Sequence, residues 1–548
     1  MTPRELKTWP RALPYDIDIP PTNLFFNLWV AAVRYPERAV LIDDFGSVCY
    51  SELVEQAERI AAYLQHEVGV RAGDRVLLYM QNNRGWVAAY FALLRINAVV
   101  VPVNPMNKRD ELSHYLSDTE AVAAFCGTDN AAELMAASGA RQLRRVIVVG
   151  KPGPAETPPE ALPGLSRTIG LRQVLATSAG ELAPLMHRPD DLALILYSSG
   201  STGVPKGCMH THRSLNASTV IVAHWMGLVP HSVQLVALPY FHITGMQNLL
   251  NAPIYGGGTL VLMKRWNRDE AAELIARHQV SHWTAMPTMI IDFLSSPRLA
   301  EYDLRSVRRI GGGGAGMPQA VGERLKSLTG LDFLEGYGLS ETAHVSGNPP
   351  SAFKRQCLGV PLFNTDLRIV DPESLKELPP GEVGEIVMAG PQVFGGYWRN
   401  PEATHAATLE MDGKRFVRSG DLGYRDEEGY FFIVDRLKRM VNASGFKVWP
   451  AEVEAMLHEH PAIAEACVIA AFDPYRGETV KAVVVLRDSP AGRVTEAEVI
   501  EWARNRMAAY KYPRLVEFVA ELPKSATGKI AWRQLQDAER AKRERAAA

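Results

Sequence analysis

The stretch LALILYSSGSTGVPKG, Leu192 to Gly207, changes character partway along. Its first six residues form a short apolar, β-leaning run. The remainder holds three serines, a threonine, three glycines and a proline around one lysine, Lys206. A segment so small and polar cannot fill a core. From Pro189 to Glu335 similar runs recur: QLVALPY, TLVLM, HWTAMP, RRIGG and LDFLEGYG. Segments with helical spacing, such as NRDEAAELIARHQ and PQAVGERLKSLTG, separate them. This alternation predicts βα units on a largely parallel sheet. Sheets of that kind bind ligands in loops at the carboxyl ends of their strands. The small-residue loop is expected at such an edge, where successive backbone N–H groups can face one concavity and hold phosphate oxygens. Ser198, Ser199, Ser201 and Thr202 add hydroxyl donors, and Lys206 adds a cation. The segment is not a P-loop, because Pro205 precedes the lysine and Gly207 follows it.

The chain before Gly150 repeats the pattern. YSELVEQAERIAAYLQHEV reads as an amphipathic helix, DRVLLYMQ as a strand, and WVAAYFALLRINAVVVPV as a helix running into a strand. Residues 151–188 are rich in proline and glycine and read as a surface excursion. From Gly359 to Val434, short runs with turns (LRIVD, GEIVMAG, GYFFIV) predict a small β-rich subdomain. After DRLKRM a compact α+β unit is expected, with a helix at PAEVEAMLHEH, strands at AEACVIAAF and VKAVVVL, and a helix at EAEVIEWARNRMAA. The tail DAERAKRERAAA has mixed charge and no apolar face, and reads as a frayed helix.

Bulk properties exclude several classes. With 548 residues the chain has ample material for large cores, and 47% hydrophobic with 22% charged residues is ordinary for a globular protein. A formal net charge of −2 gives no field to recruit nucleic acid or an anionic membrane. The five cysteines are scattered without a CxxC pair, which fits a reducing cytosol and argues against a structural zinc site. The N-terminus lacks an apolar signal core, and YFALLRINAVVVPV is too broken to span a bilayer. A cytoplasmic protein without a membrane span is expected.

Other loops carry chemistry-bearing residues. GGGGAGMP (Gly311–Pro318) lies between a strand and a helix, where backbone must approach something flat or crowded. EGYGLSETAH offers Tyr337, Ser340, Glu341 and Thr342 on another strand-end loop, suited to a base, a magnesium ion and a phosphate. RSGDLGY sets Asp421 among glycines, where a carboxylate can accept both hydroxyls of a ribose. LPKSATGKI presents Lys529 on a second small-residue loop. Any one of these turns alone is structural more often than functional.

Taken in order, the segments resemble the acyl-adenylate-forming superfamily, which includes acyl-CoA synthetases, adenylation domains of peptide synthetases and luciferases. YSSGSTGVPKG, LPYFHITG, EGYGLSETA, GEIVMAGPQVFGGYW, SGDLG, DRLKRMVNASGFKVWPAEVE and the terminal lysine motif carry the resemblance, which covers nearly the whole chain. It implies an α/β fold: a large N-terminal AMP-binding domain, 1–436, of two βα sheet subdomains plus the small β-rich subdomain, and a small mobile α+β C-terminal domain, 437–548. The resemblance assigns Ser198, Ser199, Ser201, Thr202 and Lys206 to the β- and γ-phosphates of ATP. Thr342 corresponds to the α-phosphate contact and Glu341 to the carboxylate that orients Mg2+. Tyr337 corresponds to the aromatic on adenine, with Gly314 and Ala315 beside the base, and Asp421 and Arg436 to the ribose contacts. His242 corresponds to the aromatic position beside the acyl carboxylate, Lys438 to the hinge, and Lys529 to the adenylation lysine. The implied reaction is ATP-dependent: acyl-AMP and pyrophosphate form first, and a thiol then displaces AMP.

The resemblance points to coenzyme A as the acceptor, with Ser444, Gly445 and Phe446 matching the pantetheine tunnel. Loading of a separate carrier protein and a non-catalytic nucleotide sensor are the alternatives. Asn442 stands where plant-type aromatic-acid ligases carry lysine, and the wording around it is closer to bacterial fatty-acid ligases. The acid is expected against Tyr240–Gln247, His282–Thr288, Gly311–Gly316 and Val345–Asn348. Trp283, Met286 and Met246 make that surface apolar, without a cation for a second carboxylate. A fatty acid is the first expectation; short, branched or hydroxylated acids stay open. Trp283 can equally be a core residue. Partners are then small molecules (acid, ATP and CoA), with a monomer and a homodimer both open.

Overall fold

The computed structural model describes residues 1–548 except 7–8, 11–12, 151–166, 179, 187, 199–204, 444–445, 474–476, 488–493, 525–529 and 548. Its contacts divide the chain into two compact units: Met1–Leu367 with Met388–Val417, and Arg368–Val387 with Arg418–Ala548.

The first unit contains two large mixed sheets. One has eight strands. Thr168–Gly170, Arg145–Val149, Ala123–Gly127, Arg75–Tyr79, Val99–Val103 and β1 (Leu192–Ser198) run parallel in that spatial order. All five residues of Val99–Val103 are buried, as a strand covered on both faces must be. The amphipathic helix expected at YSELVEQ spans Tyr50–Tyr63, its N-terminus closed by Glu52 Oε2 accepting from Cys49 N at 2.8 Å. Leu53, Ala57, Ile60 and Ala61 form its buried stripe.

Where the alternation predicts a βα unit after β1, the chain instead doubles back. β2 (Lys206–Thr211) pairs antiparallel with β1, Ser198 opposite Lys206. Gly207 permits this close pairing, since a Cβ there would lie 2.6 Å from Ile195 Cγ2. β1 and β2 therefore form a hairpin at the carboxyl end of a parallel strand, and residues 199–204 between them lie outside the described residues. Helix α1 (His212–Met226) follows, with Thr211 Oγ1 accepting from Ser214 N and Gly227 closing its end at φ +64°.

The other sheet has nine strands, ordered through β3 (Val233–Val236), β4 (His282–Ala285), β5 (Arg309–Gly312), β6 (Phe333–Leu339) and β7 (Ala343–Gly347). β3 to β6 are connected in parallel, β3 next to β4 and β5 next to β6, whereas β6 and β7 form an antiparallel hairpin. The expected excursion at 151–188 lies partly outside the described residues. Its remainder includes Thr168–Gly170 on the first sheet and a helix, Leu171–Ala176, so part of it is ordered secondary structure.

In the second unit, Ile463–Asp473 and Gly477–Leu486 form a long antiparallel pair, flanked by Val441–Ala443 and Leu515–Phe518. Side-chain alternation divides its apolar residues between two faces. Val468, Val480 and Val484 meet Val453, Leu457, Val499 and Ala503 of two helices, Pro450–Leu457 and Glu496–Arg504. Cys467, Ile469 and Val483 meet Trp532 and Leu535 of the terminal helix, Trp532–Ala547. That helix is not frayed at its start. Gln536 exchanges hydrogen bonds with the Ala470 backbone at 3.0 and 2.9 Å, and Glu539 takes the Lys481 ammonium at 2.6 Å.

Candidate active site

The β6–β7 hairpin presents the densest set of expected residues. Thr342 is fully buried, and its Oγ1 accepts from Leu339 N at 3.1 Å, which fixes the turn. Below it, His210 on β2 donates from Nε2 to Ser340 O at 2.7 Å. Burial holds the His210 imidazole down to about 4, so it supports the turn as a neutral donor at physiological pH. Glu341 is half-buried, and Tyr397 donates its hydroxyl to Glu341 Oε1 at 2.7 Å. Burial first, and the Glu341 carboxylate second, push the Tyr397 phenol far up, so the hydroxyl stays a donor. Lys206 Nζ lies 5.2 Å from the centre of the Tyr397 ring. A cation on β2 and a carboxylate in the β6–β7 turn thus meet one tyrosine, at its ring and at its hydroxyl.

Tyr337 is buried on β6 opposite Ser346. The neighbouring glycine run is crowded by backbone. A Cβ on Gly312 would lie 1.8 Å from Ala285 O, and one on Gly313 would lie 2.3 Å from Gly336 O. Gly314 turns away at φ +85°, and it and Ala315 are exposed. Glu335 anchors this loop, its Oε1 accepting from Met317 N at 2.8 Å. Ser198 is half-buried at the end of β1, its Oγ 3.5 Å from Lys206 O. Ser199, Ser201 and Thr202 lie outside the described residues. His242 precedes helix α2 (Ile243–Met246), half-buried, with its ring 4.7 Å from that of Phe241. Trp283 is a core residue: 1% exposed, stacked on Trp266 and edge-on to Phe293 at 4.8 Å. Met246 is likewise fully buried in that core.

The second unit holds the remaining described candidates. Asp421 is 1% exposed, and Arg436 Nε meets its Oδ1 at 2.9 Å across a cross-strand pair. Asp421 N donates to Ser419 Oγ at 2.9 Å, and Gly420, at φ +67°, donates to Glu385 Oε1 at 3.0 Å. These bonds fix the backbone at Asp421, and Arg436 on the neighbouring strand meets its carboxylate. Lys438 sits in a short 3-10 turn, Leu437–Arg439. Phe446 begins a strand, Phe446–Val448. Ser444, Gly445 and Lys529 lie outside the described residues.

Three contributors, Tyr397, His210 and Glu335, have no role assigned from sequence. Tyr397 was within reach, because it lies in the motif GEIVMAGPQVFGGYW.

Residues 28–398 match the family described as AMP-binding enzyme, and residues 452–529 match the AMP-binding enzyme C-terminal domain. A long-chain-fatty-acid–CoA ligase of Bacillus subtilis (strain 168) is 33% identical, over 97% of this chain and 98% of the relative. A feruloyl-CoA synthase of an Amycolatopsis species is 36% identical, over 91% and 96%. The crystal structure of ATP-bound MatB from Rhodopseudomonas palustris superposes with a TM-score of 0.85 at 30% identity, covering 94% of this chain and 98% of that one. The two-sheet unit, the loaded hairpin and these matches agree: the chain belongs to the AMP-binding enzyme family, as an AMP-forming acyl-CoA synthetase that takes ATP and coenzyme A as substrates.

Proposed function

We propose that the acid activated is apolar, a fatty acid first, and that the residues expected from sequence divide the work as follows. Lys206 and the hydroxyls of Ser198, Ser199, Ser201 and Thr202 bind the β- and γ-phosphates. Thr342 meets the α-phosphate, Tyr337 with Gly314 and Ala315 holds adenine, and Asp421 with Arg436 holds the ribose. A carboxylate oxygen of the acid, beside His242, attacks the α-phosphorus; the bond to the bridging oxygen breaks and pyrophosphate leaves. The sulfur of CoA, passing Ser444, Gly445 and Phe446, then attacks the acyl carbon, losing its proton as the bond to AMP breaks. Positioning and charge stabilisation carry the first step.

The observation that best supports this reading is the Lys206–Tyr397–Glu341 arrangement, which pairs a phosphate-binding cation with an oriented carboxylate. Mg2+ fits the same place. It keeps waters and binds through one or two carboxylates plus substrate phosphates, and Glu341 supplies a hard oxygen fixed by Tyr397. When bound, the ion would neutralise charge on the phosphates. No described helix is long and apolar enough to cross a membrane. A cytoplasmic setting completes the reading. A panel of carboxylic acids, read by pyrophosphate release and then by acyl-CoA formation, tests it. Monocarboxylic acids with a largely apolar body are expected to lead the panel, and preference for dicarboxylates would overturn the assignment.

Two results follow for single residues. Loss of a charge-assisted hydrogen-bonding partner costs about 1.5–3 kcal/mol. Asp421→Ala is therefore expected to raise the Kd for ATP about tenfold or more. Unchanged ATP affinity, measured by calorimetry on the folded variant, would remove Asp421 from the ribose site. Lys438 is the proposed hinge between residues 1–436 and 437–548. Lys438→Pro fixes φ near roughly −65°. Acyl-AMP should still form, while thioester formation falls at least about tenfold. Equal loss of both half-reactions would count against a hinge.

A further inference from the structure

Beyond α2 the chain winds through one π-helical turn, Gln247–Asn251, an element that collects at functional sites. Gln247 and Asn248 are no more than 2% exposed, and so is Gln234 on β3. Their amides are only partly satisfied. Gln247 Oε1 accepts from Thr219 at 3.0 Å and Gln234 Nε2 donates to Asn248 O at 3.3 Å, yet Gln247 Nε2 and Gln234 Oε1 have no partner among the described residues. Buried amide atoms left this way are exceptional and ask for a partner. Asn248 Nδ2 lies 3.1 Å from His344 Nδ1. The His344 ring rests on Gly336, where a Cβ would fall 2.2 Å from Nε2. This chain of polar groups therefore ends against the strand that carries Tyr337.

Its location says what it can meet. Asn248 directly follows 240–247, and His344 directly precedes 345–348, two of the four segments expected to wall the acid. Burial holds the His344 imidazole down to about 4, so at neutral pH it offers one donor and one acceptor without charge. A second carboxylate finds no match there, whereas a hydroxyl or oxo oxygen does.

We propose that the Asn248–His344 pair, backed by Gln247 and Gln234, receives a neutral oxygen function on the otherwise apolar acid, so that hydroxy or oxo acids are preferred to their unsubstituted counterparts. The proposal rests on the acid-activating reading above and narrows its substrate class. A site built to bond a hydroxyl rejects the analogue lacking it far more strongly than an apolar pocket rejects a methylene.

The test uses the full-length enzyme and matched acids: octanoate against octanoates hydroxylated at successive carbons, and cinnamate against ring-hydroxylated cinnamates. Each is read as kcat/KM for pyrophosphate release. At least one oxygenated acid should exceed its partner by about tenfold or more. His344→Leu and Asn248→Leu should bring that ratio to within about threefold of unity by slowing the oxygenated acid alone, and His344→Gln, which keeps a polar tip, should retain a preference. Should His344→Leu fail to fold, the ratios for Asn248→Leu and His344→Gln decide. A ratio near unity for every pair, or one unmoved in the folded variants, overturns the proposal and leaves acid activation standing. No pyrophosphate from any acid with the native enzyme overturns both.

Discussion

Lys529→Ala is expected to cut acid-dependent pyrophosphate formation at least ~100-fold, while thioester formation from synthetic acyl-AMP and CoA stays close to the native rate. In the proposed reaction, negative charge from the attacking carboxylate and from the α-phosphate is crowded into one transition state. A lysine bridging the two supplies charge stabilisation where charge develops, and its loss compares with that of an oxyanion-hole donor, about 2.7–4 kcal/mol. Lys206 cannot substitute, since its proposed place is with the β- and γ-phosphates. Once acyl-AMP exists, the proposed rotation of the C-terminal domain carries Lys529 away, and the second step no longer uses it. The two half-reactions therefore respond differently to one substitution. Lys524 and Ile530, which stand either side of Lys529 within LPKSATGKI, pair as an antiparallel bridge, and Ile530 packs on an apolar face of the second unit. That anchoring rests on Lys524 and Ile530, which the substitution leaves in place, so the variant is expected to fold. Equal loss of both half-reactions would reduce Lys529 to a structural role or a fixed site.

The sequence reveals this fold wherever the signal is local. The stripe Leu53, Ala57, Ile60 and Ala61 announces a helix, and VVVPV announces a strand covered on both sides. Long-range events are less visible. The β1–β2 hairpin depends on Gly207 lying against Ile195, and nothing in GVPKG distinguishes that from a loop leading to a helix. The terminal helix has no apolar face across its charged tail, but it docks through Gln536 on Ala470 and Glu539 on Lys481. Neither partner is a sequence neighbour. The glycine run was legible as a place of close approach, yet only the strand order shows that Ala285 O and Gly336 O crowd it. Trp283 is as bulky as an acyl pocket needs, but its stack with Trp266 places it in the core. At the site, sequence names the group that does chemistry more readily than the one that aims it. Glu341 stands within a motif, while its orienting Tyr397 lies 56 residues away.

That separation between charge and aim gives the second large effect. Glu341→Gln should lower pyrophosphate formation at least ~100-fold at low millimolar Mg2+, because the amide keeps the shape but withdraws the negative charge a hard cation requires. The amide oxygen can still accept from the Tyr397 hydroxyl, so the hairpin should keep its geometry. Thr342 continues to hold the turn through Leu339 N, and His210 through Ser340 O. Stability is thus expected to change little, and a thermal melt on the variant checks it. Tyr397→Phe makes the complementary change, leaving the charge while releasing the oxygen that the hydroxyl fixes at 2.7 Å. Partners of ion-binding groups typically contribute about 10–100-fold in affinity or activity. Its expected signature is a raised Mg2+ requirement, with activity recovering as Mg2+ is titrated upward. Recovery in Tyr397→Phe but not in Glu341→Gln would separate the group that binds the ion from the one that orients it. Glu341→Gln remaining within threefold of the native rate across the titration would remove Glu341 from the ion site. The hairpin's acidic turn would then serve only to hold Tyr397 beneath Lys206.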